Sequence, residues 1–322
     1  MIADVTAARP LAAYETMPLP TLSDAQLDEI VRRSGLSLDG PVVRMESSGV
    51  VHALWALGEH WVLRVPKNEA MCVGDHRCEA VAIPMALRAG VRTPRLELFD
   101  DSLAVLDVPY SIVARVHGSN LVASPTDDPA YEHLGRELAM LHDADPSTLG
   151  AVDHPWLRTP DAAPAEAHFD HVLHAGLLHG DGIRWLRALC DQLDEIVAAG
   201  PVAPIVFIHN DVKPDNVMVD HAGSVVLIDW GDAAFGDPAL DVHTLPMVAI
   251  ERTLQGYREV RGTDPTLEAR IIRSVVARCL YNLARSPLAG PSWYRPIAAN
   301  LTDLLTFAID HPATWAEWTT SP

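Results

Sequence analysis

The stretch FIHNDVKPDNVMVD, residues 207–220, sets an acid, Asp211, five positions ahead of an amide, Asn216, and a second acid, Asp229, follows in LIDWGD. Two acids and an amide at strand ends suit phosphoryl transfer. That chemistry needs one carboxylate to orient an attacking hydroxyl and accept its proton, and oxygen ligands to hold magnesium on the phosphates. Asp211 fits the first role; Asn216 and Asp229 fit the second. Residues of these types also pin turns. A D-x4-N spacing followed by D-W-G, with apolar runs in between, is more specific than either piece alone.

The elements around these residues explain how they would meet. IVFI (205–208) and VMV (217–219) read as short strands, and so does VVLI (225–228), with DHAGS as the turn before it. A hairpin between the last two returns Asp229 to the neighbourhood of Asn216. Upstream, Ser23 and Gln26 form a capping box for a helix that Gly35 stops. From Val42 the pattern becomes a three-strand antiparallel meander: 42–48, 50–57 and WVLRV, which Pro66 ends. A helix around 75–90 follows, interrupted by Pro84 and closed by Gly90. Strands near 96–99 and 111–116 complete a five-stranded sheet. Beyond Pro125 the chain is mainly helical, as over Tyr131–Ala144 and Asp181–Ala199. The expected fold is α+β and bilobal. Residues 1–20 form a loose arm, 21–116 a small antiparallel sheet lobe with one main helix, and 117–322 a larger, mostly helical lobe.

Composition narrows the partners. The 322 residues are 48% hydrophobic, enough for a sizeable core. A net charge of −19, from 24 basic against 43 acidic residues, argues against nucleic acid and permits a cationic ligand. No window reaches the roughly 18 apolar residues of a membrane span, and the N-terminus lacks a basic region followed by an apolar run, so a cytoplasmic location is expected. Cys72, Cys78, Cys190 and Cys279 are scattered, which points to reduced, buried thiols. His168, His171 and His174 read as a polar helix face, since no carboxylate or cysteine pattern completes a ligand set. Only two basic residues are lysines, Lys67 and Lys213.

His209-Asn210-Asp211 with Asn216, Asp229-Trp230-Gly231-Asp232, and Gly236-Asp237-Pro238 with Asp241 resemble the aminoglycoside phosphotransferase family, within the protein-kinase-like fold. The resemblance runs from about Val42 to the C-terminal helices. It implies ATP-dependent transfer to a small-molecule hydroxyl, with GTP as the alternative donor and Mg2+ as cofactor. Asn210 stands where the family commonly has Gly or Ala and is similar to choline kinases. In the family the GDPALDV segment is structural support, so Asp237 and Asp241 are expected to tie the loop down, and His142 to brace it.

The first lobe can then be read against what ATP requires. Strand alternation puts Val62 and Arg64 on one face of WVLRV and Trp61, Leu63 and Val65 on the other. Arg64 would grip the α- and β-phosphates by a bidentate contact. Lys67 is the rival cation, past Pro66 and off the register. Glu79 on the next helix would partner Arg64; Glu69 precedes that helix. Backbone amides of Ser48, Gly49 and Val50 would cap phosphate oxygens, and main-chain groups of Ala114 and Val116 would meet the adenine edge. Lys213 would reach the γ-phosphate and stabilise charge during transfer.

Asp229 is followed within eight residues by GDP and then by helices, which leaves no room for the activation segment of a protein kinase. A pseudokinase would have lost Asp211, Asn216 or Asp229, and all are present. Glu251, Tyr257, Glu259 and Glu268, with Tyr281, Trp293, Tyr294, Trp315 and Trp318, are candidates to wall the acceptor site. The expected acceptor is aminoglycoside-like or an amino sugar, ahead of a macrolide, sugar or amino alcohol. Both a monomer and a homodimer are compatible with the sequence.

Overall fold

The computed structural model describes residues 17–46, 51–123, 126–150, 153–160, 165–174, 176–284 and 294–320. The chain runs α1 (Asp24–Ser34), β1 (Val42–Arg44), β2 (His52–Leu57), β3 (Trp61–Pro66), α2 (Ala70–Arg88), β4 (Leu96–Asp100), β5 (Tyr110–Ala114) and β6 (Gly118–Asn120). Then follow α3 (Ala130–Asp143), α4 (Pro146–Leu149), α5 (Ala165–His174), α6 (Gly180–Ala199), β7 (Val206–Ile208), β8 (Val217–Asp220), β9 (Val225–Leu227) and β10 (Ala234–Gly236). Helices α7 (Met247–Arg261), α8 (Leu267–Ala284), α9 (Tyr294–Asp310) and α10 (Pro312–Thr319) complete it. An antiparallel sheet thus precedes a mainly helical part, the mixed α and β arrangement expected. Among the described residues no helix is long and apolar enough to cross a membrane. The four cysteines are free and buried.

The first sheet has the order β1-β2-β3-β5-β4, all neighbours antiparallel. Its two faces serve different partners. Leu63 and Val65 of β3 join Trp55, Leu57, Tyr110 and Ile112 in a core that α1 closes with Ile30. Val62, one residue out of phase, packs instead toward the main core shared with α2 and the helical part. The capping box of α1 is present, with the Gln26 N–H 3.3 Å from Ser23 Oγ and the Ser23 N–H 3.0 Å from Gln26 Oε1. Gly35 ends that helix at a φ of 68°, a conformation that costs glycine nothing.

Helix α2 departs from the sequence reading. It runs unbroken through Pro84. Cys78, Ala82, Ile83, Met85 and Ala86 are all buried along it. Burying that face offsets the helix-interior proline penalty of roughly 3 kcal/mol. The helix begins earlier than expected, capped by Glu69, whose carboxylate accepts the N–H groups of Met71 at 2.8 Å and Cys72 at 3.3 Å.

Two small sheets support the loop region. β8 and β9 form the expected hairpin, with Val217 opposite Leu227. β6 adds to the outer edge of β8, and β10 pairs with β7; neither partner strand was legible as such. Helices α3 and α7 cross at backbone contact. A Cβ on Gly135 would overlap the Thr253 carbonyl, and one on Gly256 the Glu132 carbonyl. Because backbone cannot retreat as a side chain does, Gly135→Ala is expected to destabilise the protein by roughly 2–4 kcal/mol, read as a shift of the urea midpoint at unchanged slope.

Candidate active site

Strand β7 ends at Ile208 and delivers the loop His209-Asn210-Asp211. The turn after it is held by Asp241, which is fully buried and accepts the main-chain N–H groups of His209 at 3.0 Å and Asn210 at 2.5 Å. His142 Nε2 lies 2.9 Å from the same carboxylate, and its Nδ1 lies 3.0 Å from the Tyr257 hydroxyl. Arg261 donates to that hydroxyl at 3.3 Å. Those donors set the tautomer: the hydroxyl gives its proton to Nδ1, and Nε2–H points at Asp241. Asn210 sits at φ 66°, a region asparagine enters more cheaply than other residues with a Cβ. Its side-chain amide donates to the Asp232 carbonyl at 3.1 Å, tying this loop to the one after β9.

Asp211, Lys213 and Asn216 are in direct contact. Asp211 Oδ2 accepts from Lys213 Nζ at 2.6 Å and from Asn216 Nδ2 at 2.9 Å. Oδ2 is thereby doubly used, and Oδ1 is the oxygen left for another proton. Burial would lower the Lys213 pKa, but the charge of Asp211 outweighs it and raises it, so the ammonium is retained. The hairpin closes as expected, with the Ile228 N–H bonded to the Asn216 carbonyl at 3.0 Å. Asp229 follows at φ 68°, a conformation imposed by its surroundings.

Across the cleft Arg64 Nη2 lies 2.6 Å from Glu79 Oε1 and 3.6 Å from Asp229 Oδ1. Two carboxylates therefore share one guanidinium, and they respond oppositely. Burial pushes the Glu79 carboxyl well above the usual range against the pull of Arg64. At Asp229 burial also acts upward, but Arg64 and a hydrogen bond with Glu79 prevail and hold it below its ordinary value. The Glu79 side chain is 3% exposed and that of Asp229 46%. Negative charge thus collects on the carboxylate that solvent can reach.

Behind this pair lie two buried histidines. Arg64 Nη2 is 3.3 Å from His52 Nδ1, and His52 Nε2 is 3.1 Å from His76 Nδ1. His52, His76 and Glu79 are the one group among the described residues spaced as metal ligands. The Arg64 N–H directed at Nδ1 leaves the His52 proton on Nε2, the atom a metal would need bare. The group therefore reads as a directional hydrogen-bond relay.

The other anticipated residues divide. Val62 and Arg64 do share a face of β3. Ala114 ends β5 with its N–H committed to the Arg95 carbonyl at 2.9 Å, and Val116 lies two residues on. Lys67 is buried beyond the end of β3, whereas Arg64 is the cation beside Glu79 and Asp229. Ser48, Gly49 and Val50 lie outside the described residues, as does Trp293. Several anticipated acceptor groups are already engaged. Glu259 pairs with Arg136 at 2.6 Å, Glu268 pairs with Arg258, Tyr257 serves His142, and Trp318 is buried. Asp237 receives the buried Arg270 at 2.8 Å. Sequence reasoning missed His52, His76, Asp75, Arg158 and Arg270, each of which acts through a partner far away in the chain.

A small antiparallel sheet with a cation–carboxylate pair, set over a loop carrying Asp, Asn and Asp, defines a phosphotransferase of protein-kinase-like fold. Residues 48–270 match the model of the phosphotransferase enzyme family, and the chain belongs to that family. Among solved structures it is similar to the GDP complex of wild-type aminoglycoside 2'-phosphotransferase-IIIa, with a TM-score of 0.61 and 18% identity over 90% of this chain and 100% of that one. Macrolide 2'-phosphotransferase type I gives a TM-score of 0.58 and 25% identity, covering 89% and 99%. A choline/ethanolamine kinase family protein from Mesorhizobium loti gives 0.59 and 17%, covering 88% and 95%. Citron Rho-interacting kinase of Mus musculus is 26% identical over 111 residues, which is 31% of this chain and 5% of that protein's length.

The relay makes a pH prediction. Burial first, then Arg64, lower the His76 pKa from 6.5 to about 3. Between those values the unfolded chain binds a proton that the folded one refuses, so this contribution is whole above 6.5 and is lost as pH falls toward 3. His76→Gln should remove about one proton of uptake on unfolding near pH 4.5 and change it little near pH 7, read from the slope of urea-unfolding stability against pH around each value.

Proposed function

We propose that the protein transfers the γ-phosphate of ATP, or of GTP, to a hydroxyl of a small molecule. In this reading residues 21–116 hold the nucleotide and residues 117–322 supply the catalytic loop and the acceptor site. The observation that carries it is the meeting of Asp211, through its Oδ2, with Lys213 and Asn216, and of Asp229 with the Arg64–Glu79 pair.

In the reaction, Asp211 Oδ1 accepts the proton of the acceptor hydroxyl as its oxygen bonds to the γ-phosphorus, and the bond to the bridging β-γ oxygen breaks to release the nucleoside diphosphate. Lys213, held beside Asp211, is set to neutralise charge on the moving phosphoryl group. Arg64 is the grip on the α- and β-phosphates, fixed by Glu79. Ala114 contributes its carbonyl and Val116 its N–H to the adenine edge, since the Ala114 N–H is already used. Val62 lies under the base in this reading, and Ser48, Gly49 and Val50, outside the described residues, remain the proposed phosphate-capping loop.

The donor set fits magnesium. Asn216 spends its amide nitrogen on Asp211, which leaves its carbonyl oxygen for a cation, and Asp229 is the carboxylate kept ionised. Hard oxygen ligands of this kind suit Mg2+ over zinc. When bound, that ion would neutralise phosphate charge during transfer.

The proposed acceptor is an amino-sugar hydroxyl of the aminoglycoside kind, a reading supported by the net charge of −19. A macrolide is the second reading. It is favoured by the 25% identity to a macrolide phosphotransferase and by the ion pairs that occupy Glu259 and Glu268. A transfer screen with Mg2+ and ATP or GTP against aminoglycosides, macrolides, sugars and amino alcohols tests both; turnover of an amino alcohol alone would overturn them. Asp211→Asn should lower kcat by roughly 10²–10⁴ while nucleotide affinity stays near wild type, and retained turnover would remove its role as base. Arg64→Ala should raise the KM for ATP by at least about tenfold, well beyond Lys67→Ala, and the reverse order would reassign the phosphate grip.

A further inference from the structure

The segment 154–158 joins parts of the molecule that the catalytic groups need at a fixed distance. Arg158 donates through Nη2 to Asp75 Oδ1 of α2 and through Nε, at 3.3 Å, to the carbonyl of Gly231, two residues past Asp229. Its own N–H bonds to the Ala233 carbonyl at 2.9 Å, and it bridges to Ala234 at the start of β10. Two residues earlier, the Trp156 ring packs edge-on against Phe99 of β4 at 5.9 Å and under the Arg77 guanidinium of α2 at 5.8 Å. The loop after Asp229 meets α2 so closely that a Cβ on Gly231 would come 2.9 Å from that of Asp75.

The spacing along α2 gives these contacts their meaning. Asp75 and Glu79 are four residues apart, hence on one face one turn from each other. Whatever fixes Asp75 against Gly231 also fixes Glu79 against Asp229. We infer that Arg158 is a positioning residue that straps α2 to the loop after β9, holding Asp229 in the geometry its role as a magnesium ligand requires. Without the strap, α2 and the loop after β9 would be joined beside the site by Arg64, by the Glu79–Asp229 hydrogen bond and by the Cys78 Sγ contact to the Ala233 carbonyl at 3.5 Å, and bound phosphates would draw Arg64 toward themselves. The contacts to the Gly231 and Ala233 carbonyls restrain the loop directly after Asp229. The inference rests on the reading of Asp229 given above.

The test compares wild type with Arg158→Gln, Arg158→Lys and Asp75→Asn. Hydrogen exchange on the protein without nucleotide should quicken by about tenfold at 229–234 and 70–80 in the Gln and Asn variants, with the remaining amides unchanged. The magnesium concentration for half-maximal activity should rise by about tenfold in both, with kcat at saturating metal within about threefold of wild type. The double variant should be no worse than the poorer single one, because both remove the same contact. Lysine can restore the ion pair but not the geometry of the Nε contact to Gly231, so Arg158→Lys should fall between. Faster exchange confined to 153–160, or an unchanged magnesium requirement, would overturn the strap. If Arg158→Gln does not fold, Asp75→Asn decides the matter. If wild type binds no magnesium nucleotide, the reading of the site fails while the exchange comparison still decides whether the strap exists.

Discussion

One guanidinium, that of Arg64, stands between two carboxylates that come from different parts of the chain. Glu79 arrives on α2 and Asp229 on the loop after β9, and at 2.6 Å and 3.6 Å they meet the same Nη2. Two acids in one largely buried site repel, and neither could stay charged there without the cation. The sheet that carries Arg64, the helix that carries Glu79 and the hairpin that ends in Asp229 must therefore come together for any of them to be stable. Burial then divides the charge, driving Glu79 toward its neutral form and leaving the more accessible Asp229 ionised.

The opposite side of the cleft is organised on a different principle. There a fully buried carboxylate, Asp241, takes two main-chain N–H groups and an imidazole and shapes the turn before Asp211. Satisfying a buried charge with three donors makes it a rigid post, and removing any donor would leave it costly. The imidazole comes from α3, and its Tyr257 partner comes from α7. The glycine contacts between those helices let the two side chains reach one another. Packing far from the cleft thus sets the aim of Asp211.

Much of this was legible in the residues before the fold was known. The D-x4-N spacing, the strand alternation of Val62 and Arg64 and the hairpin return to Asn216 follow from local pattern, and the supporting roles of Asp241 and His142 were what the family resemblance implied. The break at Pro84 did not occur, because a helix's tolerance of proline depends on what its other face buries. The pairing of two anticipated acceptor carboxylates was hidden for a related reason: Glu259 and Glu268 look free in a linear chain, and the arginines that pair with them come from elsewhere in the fold.

The sequence by itself determined which groups can do chemistry and on which side of each strand they stand, since spacing and alternation are properties of a few consecutive residues. The tertiary structure alone decided which of those groups are charged, which are already paired and how far apart the two walls of the cleft are held. Those properties depend on burial and on partners such as Arg158 and Asp75, 83 residues apart, whose attraction leaves no periodic trace in the chain.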